Sequence, residues 1–362
     1  MLNEYQNDSF AQSSCTNVNK KVRILFFHSH FISRKILTFT ALKLAILFMP
    51  KKIQFIFNPS EIGAGTRGSS LGPAAILAAA REVNSPFFDN YPPIILSDWN
   101  QLLDTASPYR KAKRIDGMQK VFNCMEQELA RQKNAAQFPF IISGDHASAG
   151  GTISGIKKVN PGKKLGVLWI DAHADLHTPY TTPSGNLHGM PLATALGIDN
   201  LECQKNEVDS ATADYWNQLK SSAILPEDLV YISVRDTEFE EDFLIDQLGI
   251  KNYSVAELRS MGMEKLLTEL KHRFSNCDMV YISFDVDAMD PNETSLGTGT
   301  PVPNGLSVQE ARLLLTEMIQ LPNIAAFELV EVNPCLDDKK NKMAEVAFDL
   351  IKSMVEVLEK EN

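Results

Sequence analysis

Four of the seven histidines, His146, His173, His177 and His188, fall within 43 residues, each no more than two positions from an Asp, Gly or Asn. Imidazoles interleaved with carboxylates serve metal ligation and proton transfer. Asp171-Ala-His173-Ala-Asp175 follows the apolar run Leu168-Trp-Ile170. At a period of two, positions 171, 173 and 175 point one way and the alanines the other. Asp285-Val-Asp287 repeats the device after Val280-Tyr-Ile-Ser-Phe284, and Gly144-Asp145-His146 closes the run 138–143. Ligands of parallel α/β sheets gather beyond the carboxyl ends of the strands, so three strand ends would bring His146, Asp171, His173, Asp175, Asp285 and Asp287 to one edge. Four carboxylates and two imidazoles overload one metal but suit two hard or borderline ions such as Mn²⁺, with some carboxylates bridging. Ions about 3.5–4 Å apart would lower the pKa of a shared water and make a hydroxide nucleophile near neutrality. One DxH or DxD alone reads equally as a turn or a helix cap. Three together do not, because unpaired carboxylates in one cleft repel and need cations.

The elements that must position these groups are legible from periodicity. Short apolar runs at 53–57, 94–96, 138–143, 165–170, 229–234, 279–285 and 324–332 read as strands. Between and after them, helical patterns span 73–83, 112–132, 146–159, 238–248, 255–274, 307–321 and 340–360. Strands alternating with helices imply a parallel sheet covered on both faces, and several runs are apolar throughout, as buried parallel strands are. Gly63-Ala-Gly65-Thr-Arg-Gly68 matches the GxGxxG fingerprint of dinucleotide folds. That fingerprint needs the helix to open within the glycines, whereas Pro73, which suits a first helical position, lies beyond them; the motif reads as a loop entering a helix.

The chain of 362 residues is 44% hydrophobic and 22% charged, a globular composition rather than a disordered one. Its formal charge of −10 leaves no basic field for nucleic acid. Residues 1–48 carry six basic and two acidic side chains, so residues 49–362 hold −14. The apolar stretch 36–49, interrupted by Lys43, is too short for a membrane span. Residues 1–48 are expected to be a basic extension outside the fold, with Met49 as the functional start, and 49–362 a single catalytic domain. Cys15, Cys124, Cys203, Cys277 and Cys335 are widely spaced with no CxxC, which fits a reducing, cytoplasmic location.

At its histidine and aspartate motifs the chain resembles the ureohydrolase family, which includes arginase, agmatinase and formimidoylglutamase, and within it arginase. The resemblance runs from Glu61-Ile-Gly-Ala-Gly-Thr-Arg-Gly68, through Gly144-Asp-His146, Asp171-Ala-His-Ala-Asp175 and Ser283-Phe-Asp-Val-Asp-Ala-Met-Asp-Pro291, to Glu331-Val-Asn-Pro334. It implies a three-layer α/β/α fold with an eight-stranded, mainly parallel sheet. It also implies two Mn²⁺ (or Co²⁺ or similar ions) per subunit and a homotrimer or homohexamer. One ion would take His146 and Asp175 and the other His173 and Asp287, with Asp171 and Asp285 bridging. The implied reaction is hydrolysis of L-arginine to L-ornithine and urea by a metal-bridging hydroxide that Asp175 orients. Glu331 would hold the guanidinium and His188 would relay a proton.

Thr181-Thr182-Pro-Ser184-Gly-Asn186-Leu-His188-Gly resembles the arginase loop at the substrate carboxylate, and Arg235-Asp236-Thr-Glu238 the segment at the α-amino group. Thr300 lies in the segment 290–301, one residue longer than usual, and joins this recognition end. His177 stands where arginases usually carry Asn, and Glu238 where they carry Asp. These departures bear on which guanidine fits, so agmatine, another guanidino compound or formimidoylglutamate is the alternative substrate. A metal-binding member without catalysis is a further alternative, against which retention of all six ligands, His188 and Glu331 argues.

Overall fold

A computed structural model describes residues 52–360; the expected basic extension at 1–48 lies outside them. Eight strands form one sheet among these residues: β1 (Lys52–Asn58), β2 (Ile94–Ile95), β3 (Gln137–Ser143), β4 (Leu165–Ile170), β5 (Leu229–Ile232), β6 (Lys251–Tyr253), β7 (Met279–Asp285) and β8 (Ile324–Val330). Every pairing is parallel, in the order β2-β1-β3-β8-β7-β4-β5-β6. Side chains alternate across the pleat, and two cores follow. Phe55, Phe57, Phe140, Ile142, Leu168 and Ile170 face one, while Ile56, Ile141, Val167, Trp169, Tyr231 and Tyr281 face the other.

Helices α1 (Gly72–Glu82), α8 (Val255–Met261), α9 (Met263–Phe274), α10 (Val308–Met318) and α11 (Lys342–Lys360) pack on the first face. On the second lie α3 (Ile115–Asn134), α4 (Ala149–Val159), α5 (Pro191–Leu196) and α7 (Phe239–Leu248). Two further helices, α2 (Phe87–Asn90) and α6 (Ser210–Leu219), complete the set, and Trp216 of α6 anchors a smaller apolar cluster with Ile115, Phe122 and Leu187. The architecture is the expected three-layer α/β/α sandwich. No helix among the described residues is long and apolar enough to cross a membrane.

The departures from the sequence reading have local causes. The expected helix 255–274 is two helices because Gly262 sits at φ 84°. Strand β6 was not anticipated: it is a three-residue edge strand whose one buried side chain, Tyr253, is too little for a periodic signal. Helix α3 starts at Ile115 rather than 112 because Arg114 adopts φ 61°. His146 lies in a single 3₁₀ turn, His146–Ser148, ahead of α4 rather than inside it.

Candidate active site and metal centre

The sheet order places the chemistry. Strands β3, β8, β7 and β4 are neighbours at its centre. Their carboxyl ends carry His146, Glu331, Asp285 with Asp287, and Asp171 to Asp175, respectively. Strand β5, beside β4, leads to Asp236 and Glu238. Residues far apart in sequence thus share one edge.

Asp145 ties the first of these ends together. Its buried carboxylate accepts the N–H groups of Gly63 at 2.8 Å and Ala147 at 3.0 Å, joining the glycine loop to the His146 turn. Burial, reinforced by Glu331, pushes its pKa up to about 7. The glycine loop itself is a turn into α1, as expected: Glu61 Oε2 accepts from Gly68 N and Ser70 N at 2.7 and 2.9 Å.

His146 is fully enclosed. Its ring stacks on Trp169, centroids 4.0 Å apart, and its Nε2 lies 2.7 Å from Ser283 Oγ. The other ring nitrogen, Nδ1, has no hydrogen bond, yet carboxylate oxygens of Asp171, Asp175 and Asp285 stand at 3.0, 3.2 and 3.2 Å. A buried ring nitrogen surrounded by carboxylates and hydrogen-bonded to none of them has the donor set of a cation site. His173 Nδ1 makes a second such group, 3.5 Å from Asp171 and 3.1 Å from Asp287. Asp171 belongs to both groups. Asp285, the other carboxylate expected to bridge, falls in the His146 group, and its Oδ1 accepts the Asp287 N–H at 2.9 Å.

The electrostatics agree with this donor set. Burial, then repulsion from neighbouring aspartates, raises the pKa values of Asp175, Asp285 and Asp287. Asp171 goes the other way: burial opposes its charge, but His146 and His173 outweigh it. Burial likewise works against protonating His146, and the carboxylates around it hold its pKa well above the usual range. Burial and mutual repulsion thus favour protons on Asp175, Asp285 and Asp287, which divalent ions would replace.

Above the metal groups opens a cavity of about 370 Å³. His177, Thr182, Ser184, Asn186, His188, Asp236, Glu238, Thr300 and Glu331 all line it, so every expected substrate contact meets there. Glu331 has partners within the protein: Oε1 accepts the His146 N–H at 2.9 Å and lies 3.5 Å from His188 Nδ1. It also adopts φ 65°, as Asp175 adopts φ 51°, left-handed conformations that non-glycine residues hold only where the surroundings impose them. Thr300 donates to Asp287 Oδ2 at 3.1 Å as well as lining the cavity. Glu238 caps α7, its N–H donating to Glu241 Oε2 at 3.2 Å, as well as lining the cavity. His177 Nε2 stands 3.5 Å from Glu238 and 3.6 Å from Glu241, and burial pulls its pKa down to about 4.

Several contributors were missed. Ser283 lies two residues before Asp285 on β7 and Trp169 two before Asp171 just past the end of β4, so period-two alternation could have found both. Glu241, buried behind His177 with its pKa pushed up to about 7, gave no signal beyond being an acid in a first helical turn.

With the geometry in place, comparison with known proteins decides the family. The Arginase family profile matches residues 51–356. The chain belongs to the arginase family. Arginase of Bacillus subtilis (strain 168) is 34% identical over 319 residues, 85% of this chain and 98% of that protein, and its crystal structure superposes with a TM-score of 0.68. The crystal structure of Entamoeba histolytica arginase in complex with L-ornithine has a TM-score of 0.70 at 26% identity, covering 84% of this chain and 98% of that one. Agmatine ureohydrolase of Thermoplasma volcanium, at 18% identity and a TM-score of 0.62 over 86% of this chain and 92% of that one, shares the fold. As an arginase-family member the protein is a hydrolase acting on C–N bonds of linear amidines, and the family is metal-dependent.

Proposed function

We propose that this protein hydrolyses L-arginine to L-ornithine and urea. The observation that carries the reading is the polarity of the cavity. Its lining combines the buried carboxylates Glu331, Asp175 and Asp285, the uncharged hydrogen-bonding side chains Thr182, Ser184 and Asn186, and the exposed acids Asp236 and Glu238. Among the described residues no lysine or arginine lines it. A ligand with a guanidinium at one end and both a carboxylate and an ammonium at the other satisfies all three groups. Agmatine has no carboxylate and would leave the Thr182–Asn186 donors without a partner. The relatives named arginase support the same choice.

His146 with Asp171, Asp175 and Asp285, and His173 with Asp171 and Asp287, would hold two divalent cations, Mn²⁺ first among them. When bound, such cations supply the positive charge that activates water near neutral pH. The remaining steps fall to the chain. The Glu331 carboxylate accepts hydrogen bonds from the substrate guanidinium and fixes its carbon in place. Asp175 accepts a hydrogen bond from the attacking water and aims it at that carbon. His188 lies beside Glu331, whose carboxylate raises the imidazole's pKa against the opposing effect of burial. From that position it can deliver a proton to the departing amine.

His177 and Glu238 in the cavity lining favour a second reading, another guanidino compound. Urea released by the purified, Mn²⁺-loaded protein from arginine, agmatine and guanidinobutyrate, and formamide from formimidoylglutamate, distinguish them. Urea from arginine at the highest kcat/KM is expected. Preference for agmatine overturns the substrate, and no product from any compound favours the non-catalytic reading.

A further inference from the structure

Lys113 lies outside the motifs that define the site, at the entry to α3, yet it reaches the substrate cavity through Asn186. Its Nζ donates to Asn186 Oδ1 at 3.0 Å. An ammonium only donates, so the amide oxygen must face it and the amide NH₂ must face away. That NH₂ lies on the cavity side: a Cβ built at Gly65, which lines the cavity, would stand 2.8 Å from Asn186 Nδ2. The backbone docks the same loop on this segment independently. Lys113 N–H donates to Gly185 O at 2.8 Å, and Gly185, at φ 76°, packs so tightly on the Arg110 carbonyl that a Cβ would come within 2.2 Å of it.

A second cavity, of about 870 Å³, adjoins this place and shares Pro183 and Ser184 with the first. Arg110, Lys111, Lys113 and Arg114 line it against only Glu207 and Asp209. The cavity lined by Glu331, Asp175 and Asp285 therefore adjoins, across Pro183 and Ser184, one lined mainly by basic side chains. A zwitterionic guanidino acid would be oriented end to end by that field.

We propose that Lys113 is a specificity-determining positioning residue: it turns the Asn186 amide so that its NH₂ meets a substrate carboxylate, and with its basic neighbours selects guanidino compounds bearing a carboxylate at the far end. The inference rests on the proposed amino-acid substrate and names a residue that enforces it. The family motifs do not include it, and the bond to Asn186 appears only in three dimensions.

The test compares K113M and K113R with the wild type, all Mn²⁺-loaded. The Lys113 backbone bond to Gly185 does not depend on the side chain, so the loop stays docked in both variants. In K113M, kcat/KM for arginine should fall about tenfold, mainly through KM, while that for agmatine stays within about twofold. K113R should recover most of the loss. Calorimetric affinities for ornithine and for putrescine, which differ by a carboxylate, judge Lys113 without turnover, and their ratio should fall by a similar factor in K113M. Equal losses on both members of either pair, no change in either ratio, or no wild-type preference for ornithine over putrescine overturns the role of Lys113. Wild-type urea release from agmatine rather than arginine overturns the substrate reading instead, and leaves the ornithine-to-putrescine comparison to decide on Lys113.

Discussion

Asp171 is the residue on which most of the proposed centre converges. It stands within reach of both His146 and His173, receives the Trp169 indole N–H at 3.0 Å, and accepts the His173 N–H at 2.7 Å. Asp171→Asn keeps the volume and removes the charge that two cations would share. Metal content measured by plasma mass spectrometry should drop from two equivalents to one or fewer, with kcat down by at least about a hundredfold. Two retained equivalents would refute the shared-ligand role. Glu331 tests the substrate side separately. In Glu331→Gln the amide oxygen can still accept the His146 N–H, so metal content should stay at two, while kcat/KM for arginine falls about a hundredfold or more because the charged pair with the guanidinium is lost. Asp171 was legible because a strand-end DxHxD places like-facing acids together, and Glu331 through the resemblance carried by Glu331-Val-Asn-Pro334. Lys113 was not, because nothing in its own sequence neighbourhood refers to Asn186.

At the scale of elements, the strand ends have to present their side chains at one height, and close backbone approach arranges this. Gly144 directly follows β3, and a Cβ there would meet Ser60 O at 2.3 Å and Ser69 O at 3.1 Å. The same turn holds the Asp145 N–H on Ser60 O at 3.0 Å and the Glu331 N–H on the Gly144 carbonyl at 3.2 Å. Gly144→Ala should therefore cost about 1–3 kcal/mol in denaturant unfolding and loosen His146 enough to weaken metal retention in dialysis. Unchanged stability together with unchanged retention would show that the turn gives way freely. The long amphipathic helices and the apolar strands were readable because their periodicity recurs over several turns or pleats. Strand β6 and the break at Gly262 were not: the first is short and at the edge, and the second depends on a single backbone conformation.

At the scale of the molecule, the fold gathers buried acids most of which resist ionisation without cations, and its stability should report this. Asp175, Asp285 and Asp287 have raised pKa values when folded, so the folded state holds protons that the unfolded chain has released above about pH 4. His146 and His173 are also raised; their contribution is full below about pH 6.5 and is lost as pH climbs through the folded values. Lowered Asp171 acts in the opposite sense, and only at acid pH. The metal-free protein should therefore lose Tm as pH rises from about 6 to 9, whereas the Mn²⁺-loaded protein should not, because binding displaces those protons. Parallel Tm profiles with and without EDTA would contradict this account. The sequence by itself determined the layered class, the strand-end motifs and the resemblance that names the family, since these rest on local periodicity and residue chemistry. Only the tertiary structure decided that β3, β8, β7 and β4 stand side by side, that Glu331 leans on His146 and His188, and that a lysine more than seventy positions away holds Asn186. Strand order and side-chain contact depend on how distant segments pack, and no single segment carries that information.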